Sequence, residues 1–193
     1  MIDKRVQTGF TLIEVLVTFL LAAVGLLGLA ALQVSTINSG FEAQQRALVT
    51  ALVDDMAERV RMNPVSALDN YQAFDPATPC PNISTSDDAM SSGVRAEIDQ
   101  CQWAATLRGL SVKASVTDTL GLNAPIGAMG CLDTRVRPSG DVAVRVAVAW
   151  QGLTAQVAPF AGCGTGKFTN ADPENPVIDE AFRRVVYRDV VVR

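Results

Sequence analysis

The stretch that decides the fold runs from Gly9 to Leu32 and reads GFTLIEVLVTFLLAAVGLLGLAAL. From Phe10 onward, 18 of its 23 residues are apolar, and Glu14 is the one charged residue among them. A helix of 23 residues rises about 34 Å, which is enough to cross the hydrocarbon core of a bilayer. The sequence therefore predicts a single membrane-spanning helix near the N-terminus.

The residues before this helix predict its orientation. Lys4 and Arg5 precede the apolar run, and basic residues favour the cytoplasmic side of a membrane. We therefore expect a cytoplasmic N-terminus, one crossing, and residues 33–193 outside the membrane. Two other interpretations are a plain signal anchor and a cleaved secretory signal with a small-x-small site at residues 28–30. The run is longer than the usual signal h-region of roughly 7–15 residues.

Residues 9–15, GFTLIEV, resemble the processing motif of type IV prepilins and pseudopilins, and the short charged leader before them fits the same family. The resemblance implies that a prepilin peptidase cuts between Gly9 and Phe10 and then methylates the amine of Phe10. It also implies that Glu14 meets the Phe10 amine of an adjacent subunit in a filament. Removing one member of such a buried pair typically costs about 3–5 kcal/mol.

A helical stripe continues beyond the apolar run. Apolar residues recur three, four or seven positions apart, which is the spacing of one helix face, at Val34, Ile37, Phe41, Leu48, Leu52, Met56 and Val60. Two acids precede an arginine by four residues, Glu42 before Arg46 and Asp55 before Arg59, and each pair predicts a salt bridge along the helix. Pro64 ends the helix, because the residue before a proline is disfavoured in the α region. The prediction is one helix over residues 10–62.

The rest of the chain predicts an α+β domain. Residues 64–93 contain four prolines and read as an irregular connection. Residues 94–108 have helical spacing, with one side approximated by Ile98, Cys101, Ala105 and Leu107. Alternating apolar residues predict four strands, at 111–119, 131–137, 141–150 and 182–192, and both tryptophans are expected in the core. A long helix packed on an antiparallel sheet of about four strands agrees with the pilin fold that the resemblance implies.

Further matches point to one branch of the family. Residues 54–64, DDMAERVRMNP, and residues 183–186, RRVV, are similar to minor pilins of the PilV type, the type IV pilus modification proteins. The resemblance implies four segments: a leader at 1–9, a transmembrane half-helix at 10–32, an amphipathic half-helix at 33–62, and a periplasmic α+β domain at 63–193.

The same resemblance implies a function. The chain would be a minor pilin that helps to prime pilus assembly, lies at the pilus tip, and supports twitching motility and adhesion. Its partners would be other minor pilins, the major pilin, the prepilin peptidase, the inner-membrane assembly machinery, a tip adhesin and the lipid bilayer. The chain would lie first in the inner membrane and then in the pilus at the cell surface. Two alternatives stay open: a minor pseudopilin of a type II secretion system, and a signal-anchored periplasmic enzyme or binding domain.

Composition argues against catalysis and nucleic-acid binding. The chain has no His, which removes the commonest general base and metal ligand, and its net charge is −4, whereas polyanion binding favours a basic protein. We predict no enzymatic activity, cofactor, metal or nucleic-acid partner. Residues 162–167, GCGTGK, lack the spacing of a phosphate-binding loop. An acidic group in loop 172–180 does not have calcium-loop spacing, and we interpret it as solvated: Asp172, Glu174, Asp179 and Glu180.

Four cysteines, Cys80, Cys101, Cys131 and Cys163, would face an oxidising compartment and are expected to form two disulfides. The sequence permits three connectivities. We favour Cys80–Cys101 and Cys131–Cys163, because each would close one loop region. A metal site is disfavoured, since the sequence has neither a CxxC pair nor a His.

Overall fold

The computed structural model describes residues 9–63, 71, 92–109, 124–170 and 172–192. These ranges contain two helices and three strands, namely α1 (Leu12–Met62), α2 (Ser92–Leu107), β1 (Met129–Val136), β2 (Val142–Gln151) and β3 (Arg183–Val192). A short 3-10 turn, Glu180–Phe182, leads into β3. The chain divides into two compact units, residues 1–41 and 42–193, and each is described by itself.

The first unit contains the N-terminal part of α1. All residues from Gly9 to Phe41 are exposed, including the large apolar ones. By length and composition α1 could cross a membrane, since its most apolar 18-residue window has a mean hydropathy of 2.7. A signal sequence near an N-terminus would meet the same criterion.

The second unit has one main hydrophobic core between the later part of α1, helix α2 and the sheet. Trp103 of α2 is fully buried in it, and its indole Nε1 donates to the Leu52 carbonyl of α1 at 2.9 Å. Other buried residues come from both helices and all three strands: Val49, Val53, Met56, Val60, Leu107, Leu132, Val144, Val146, Val148, Trp150 and Val190. The apolar stripe of α1 therefore becomes buried in this unit, because it has a sheet and a second helix to pack against.

The sheet is antiparallel with β2 in the centre, between β1 and β3. Because side chains alternate along a strand, Val144, Val146 and Val148 face the main core and the residues between them face the other side. On that other side lies a smaller core of Ala147, Ala149, Cys163 and Phe168. Residues that follow β2 in the chain cover this part of the sheet.

A hydrogen-bond chain fastens the end of α1 to α2. Asn63 Nδ2 donates to Tyr71 Oη at 2.5 Å, and Tyr71 Oη donates to Asp99 Oδ2 at 2.9 Å. Arg59 of α1 reaches the other oxygen of Asp99 at 3.3 Å. Burial raises the pKa of Tyr71, so the phenol keeps the proton that it donates to Asp99.

The predicted fold class is confirmed, and the differences are local. Three of the four predicted strands appear in the described residues, and the fourth, at 111–119, lies outside them. The predicted face of α2 is partly wrong, because Ile98 and Ala105 are only half-buried while Ala96 and Trp103 are fully buried. The large indole therefore decides which side of α2 faces the core.

Candidate processing and assembly site

The Gly9–Phe10 bond lies just before the helix begins. Residues 9–11 have no regular secondary structure. The Thr11 carbonyl accepts the first helical hydrogen bonds, from the amides of Glu14 at 3.1 Å and Val15 at 3.3 Å. Phe10 is 84% exposed. The backbone on both sides of this bond is therefore accessible and outside the hydrogen-bonded turn, which is what a peptidase requires.

The folded chain itself does not need a glycine at position 9. A Cβ atom built on Gly9 would meet nothing within 4 Å, and its φ lies outside the left-handed region. Gly25, Gly28 and Gly40 are equally free of contacts, although a glycine inside a helix costs about 1 kcal/mol relative to alanine. A requirement for Gly9 would therefore have to come from a molecule that binds this backbone.

Glu14 is exposed in the first turn of α1. A carboxylate there interacts favourably with the positive end of the helix dipole, typically by about 0.3–1 kcal/mol. Within the described residues Glu14 forms no salt bridge. The structure thus places Gly9, Phe10 and Glu14 together at one exposed helix terminus.

Another glutamate on α1, Glu42, accepts hydrogen bonds at both of its carboxylate oxygens. Its partners do not include Arg46, which the helical spacing predicted. Its Oε1 accepts hydrogen bonds from the amides of Leu153 at 3.1 Å and Thr154 at 3.2 Å, and from the Thr154 hydroxyl at 3.0 Å. Its Oε2 accepts from Gln156 Nε2 at 3.2 Å. The carboxylate thereby fixes the start of the loop that follows β2.

Arg184 completes this arrangement from β3. Its guanidinium lies 3.4 Å from Glu42 and also donates to the carbonyls of Ala181, at 2.8 Å, and Thr154. A Cβ on Gly152 would lie 2.6 Å from Arg184 Cζ, so only glycine leaves room for the guanidinium there. Burial would raise the pKa of Glu42, but the hydrogen bonds from Thr154 and Leu153 and the charge of Arg184 outweigh it and lower that pKa.

Arg183 fixes the end of the same loop and is only 4% exposed. Its guanidinium donates to the carbonyls of Pro159 at 3.0 Å, Ala161, and Cys163 at 2.9 Å, and to the carboxylate of Glu180. Both arginines belong to the RRVV segment, residues 183–186. In this structure both hold the connection between β2 and β3.

Cys131 of β1 is joined to Cys163 by a disulfide with a Cα–Cα distance of 5.8 Å. This is one of the two pairings favoured from the sequence. Cys101 is also disulfide-bonded, and Cys80, its expected partner, lies outside the described residues. The Cys131–Cys163 bond ties the loop after β2 to strand β1.

The glycine-rich segment, residues 162–167, and the acidic loop, residues 172–180, are joined by a hydrogen bond. The Gly166 amide donates to Glu180 at 2.7 Å, and this hydrogen bond together with Arg183 lowers the pKa of Glu180. Asp172 accepts from the amides of Glu174 and Asn175, at 2.9 and 3.3 Å. In the part of the chain that the structure describes, no three acidic or sulfur side chains are grouped as a metal site would require.

Comparison with known families gives one match. Residues 4–30 match the family described as the prokaryotic N-terminal methylation motif, which is the prepilin-type signal. No curated protein and no solved structure matches the chain significantly. With its long apolar helix, its antiparallel sheet and this motif, the chain has the features of a type IV pilin-like protein. The motif implies processing by a prepilin peptidase and a place in a pilus-type assembly.

Proposed function

We propose that this chain is a minor pilin of a type IV pilus. It is made as a membrane-anchored precursor, and a prepilin peptidase removes residues 1–9 and methylates Phe10. The observation that supports this most is the prepilin motif at the start of a helix whose residues 9–41 are exposed throughout. Such an apolar surface requires cover from lipid before assembly and from neighbouring helices after it.

The proposed role of Glu14 follows from its position. A carboxylate in an apolar helix bundle is expensive to bury unless it is paired. Cleavage creates a new cation, the amine of Phe10, on every subunit. Pairing of Glu14 with the Phe10 amine of a neighbour neutralises both charges and sets the axial position of the incoming helix. Glu14 therefore acts in assembly rather than in folding.

The proposed segments are the leader 1–9, the transmembrane half-helix 10–32, the amphipathic half-helix 33–62 and the periplasmic domain 63–193. Before assembly the N-terminus is cytoplasmic and the domain periplasmic. In the pilus the chain lies at the tip with other minor pilins, above the major pilin and beneath an adhesin, and supports twitching motility and adhesion. The similarity of residues 54–64 and 183–186 to PilV-type pilins supports the minor role. That role is structural rather than catalytic.

Intact-mass analysis of the full chain purified from its own membranes tests the processing step. We expect a mature chain that begins with N-methylated Phe10. Gly9→Val should stay at precursor length, and Gly40→Val, at a site equally free of contacts, should be processed normally. A native chain that begins at Met1 or Ala31 would contradict the proposal and support a signal anchor or a cleaved secretory signal, as expected for a periplasmic enzyme or binding domain.

The assembly step needs a separate measurement. Glu14→Ala should be cleaved and should keep the thermal unfolding of the domain, yet be missing from sheared pili. Glu174→Ala, a change at an exposed acid of the domain, is the control and should enter the pili. Normal incorporation of Glu14→Ala would refute the role of Glu14.

The methylation motif also occurs in pseudopilins, so a minor pseudopilin of a type II secretion system is the second candidate. A deletion strain separates the two. Loss of twitching with intact protein secretion supports the pilus, and the reverse result supports the secretion system.

A further inference from the structure

Helix α1 contains one segment whose residues favour a helix much less than those of the rest. Residues 34–41 read VSTINSGF and include none of the strong helix formers Ala, Leu, Met, Glu, Gln, Lys and Arg. Elsewhere in α1 no run without these residue types is longer than three. We call residues 34–41 the weak segment, because its sequence gives the helix little stability of its own.

The weak segment also lacks the tertiary contacts that stabilise most helices in proteins. All of its residues are exposed, and a Cβ atom built on Gly40 would meet nothing within 4 Å. Thr36 Oγ1 donates to the Leu32 carbonyl at 2.9 Å, and such a hydrogen bond slightly destabilises a helix and often bends it. Ser39 and Gly40 are adjacent, and helices also kink at pairs of serine and glycine.

Directly after the weak segment, α1 is fixed to the globular unit. Glu42 binds the loop after β2, as described above, and Gln45 Oε1 accepts from the Ile126 amide at 3.1 Å. Val49, one turn further on, is fully buried in the main core. The boundary between the two compact units lies between Phe41 and Glu42, which is where these contacts begin.

Before the weak segment, the apolar residues 10–32 form the part of α1 that could cross a membrane. A helix in hydrocarbon resists opening, because no water is there to replace its backbone hydrogen bonds. The weak segment is mostly polar and would lie beyond the hydrocarbon core, where water can replace them. Its exposed backbone hydrogen bonds should therefore open more easily than those on either side.

We propose that the weak segment is a joint in α1, at which the helix opens locally and bends while the helix on both sides stays intact. Its consequence is that the globular unit can change direction while residues 10–32 stay in the bilayer. The inference requires that residues 10–32 lie in a membrane. It does not depend on whether the chain serves a pilus or a secretion system.

Hydrogen exchange of the full chain in phosphatidylcholine nanodiscs, read by mass spectrometry, tests the local opening. One variant combines Asn38→Ala, Ser39→Ala and Gly40→Ala, which places strong helix formers at three exposed positions. We expect the amides of the weak segment to exchange at least about tenfold more slowly in this variant, which corresponds to about 1.4 kcal/mol. Residues 52–58 should be unaffected. The matched control, Gly28→Ala, is equally free of contacts and should leave exchange in the weak segment within about twofold.

Distances between two spin labels test the bending. The labels are attached to unnatural amino acids, which leaves the disulfides intact, and replace Ala31 and Ala47 on the two sides of the joint. The control pair replaces Ala43 and Glu58, which lie in the part of α1 that the globular unit holds; all four positions are exposed. An unbroken helix would separate the two pairs by about 24 and 23 Å. We expect a broad distribution for the first pair, narrowed by the triple alanine variant, and a narrow one for the control pair.

Three results would overturn the joint. The first is exchange in the weak segment of the native chain that is as slow as exchange in residues 52–58. The second is a triple alanine variant that exchanges as fast as the native chain, and the third is an equally narrow distance distribution for both label pairs. None of these results bears on the processing of the N-terminus, so the joint can fail while the proposed function stands.

Discussion

Removing the charge of Glu42 should destabilise the second unit and do so in a pH-dependent way. The carboxylate accepts five hydrogen bonds, from Leu153, Thr154, Gln156 and Arg184. Glu42→Gln keeps the shape of the side chain and one acceptor oxygen but loses the charge. Glu42→Ala removes the acceptors altogether.

The magnitude follows from the kinds of hydrogen bond involved. Hydrogen bonds to a charged group contribute about 1.5–3 kcal/mol and neutral ones about 0.5–1.5 kcal/mol. The total loss is smaller than the sum of these energies. The Leu153 and Thr154 amides lie at exposed positions, so water can hydrogen-bond to them once the carboxylate is gone. We expect a loss of about 1–2 kcal/mol for Glu42→Gln and about 2–4 kcal/mol for Glu42→Ala, which also leaves Arg184 without its carboxylate.

The pH dependence has a definite sign. The pKa of Glu42 is lower in the folded chain than its ordinary value, so the unfolded chain binds the proton more tightly. The stabilisation is fully present above the unfolded pKa of about 4.3 and is lost as the pH falls through the folded pKa. The difference between native and Glu42→Gln chains should therefore be largest near neutral pH and should disappear in acid.

Thermal unfolding of the full chain in detergent, followed by circular dichroism from pH 7 down to pH 3, measures this difference. For a protein of this size 1 kcal/mol corresponds to about 2–4 °C, so a loss of about 1–2 kcal/mol means that Glu42→Gln should unfold about 2–8 °C earlier at pH 7. Glu174→Gln, at an exposed acid with no ion pair among the described residues, is the control. Equal unfolding temperatures for native and Glu42→Gln chains at pH 7, or a difference that grows in acid, would refute the reasoning.

Three further changes test other contacts by chemical unfolding of the full chain. Gly130→Ala should cost about 1–3 kcal/mol by overpacking, because the new Cβ would lie 2.5 Å from Trp103 Cζ3, and it should alter the tryptophan fluorescence; an unchanged spectrum and stability would argue against this packing. Cys163→Ser should cost about 3–4 kcal/mol through the loss of a cross-link that spans 32 residues, and a value near zero would contradict the chain-entropy argument. Asp54→Asn should cost less than about 1 kcal/mol, because its ion pair with Arg188 is nearly half exposed on both sides; a larger loss would show cooperation with neighbouring charges.

The sequence allowed the main elements to be predicted because each carries a periodic apolar pattern. The alternation through β2, from Val142 to Trp150, predicted a strand with these residues on one face, and the structure has that strand. Its opposite face is partly buried as well, at Ala147 and Ala149. The end of α1 at Met62 follows from Pro64. The N-terminal motif, with a small residue at Gly9 and an acid at Glu14, could be recognised from the sequence because it is short and directly precedes a long apolar run.

Contacts between distant residues could not be predicted in this way. Glu42 has Arg46 at helical spacing, but its actual partners lie more than 100 positions away, at Leu153 to Gln156 and at Arg184. Spacing along a helix gives the local candidate only, and tertiary packing decides whether a distant loop offers better donors. The same holds for Arg183, because its acceptors at Pro159, Ala161 and Cys163 are backbone carbonyls, which leave no trace in the sequence.

The apolar stripe on α1 shows that a periodic pattern does not distinguish residues buried within the folded chain from residues that another molecule covers. Val34 and Ile37 continue the helical face to which Met56 and Val60 belong, yet the first two are exposed and the last two are fully buried within the chain. The pattern predicts that a face will be covered, and it does not say by what. An exposed apolar surface of this extent is rare on a soluble monomer, and Gly25, Gly28 and Gly40 meet nothing in their own chain. The proposed assembly role would cover the part of the stripe before Glu42 with lipid and with other helices.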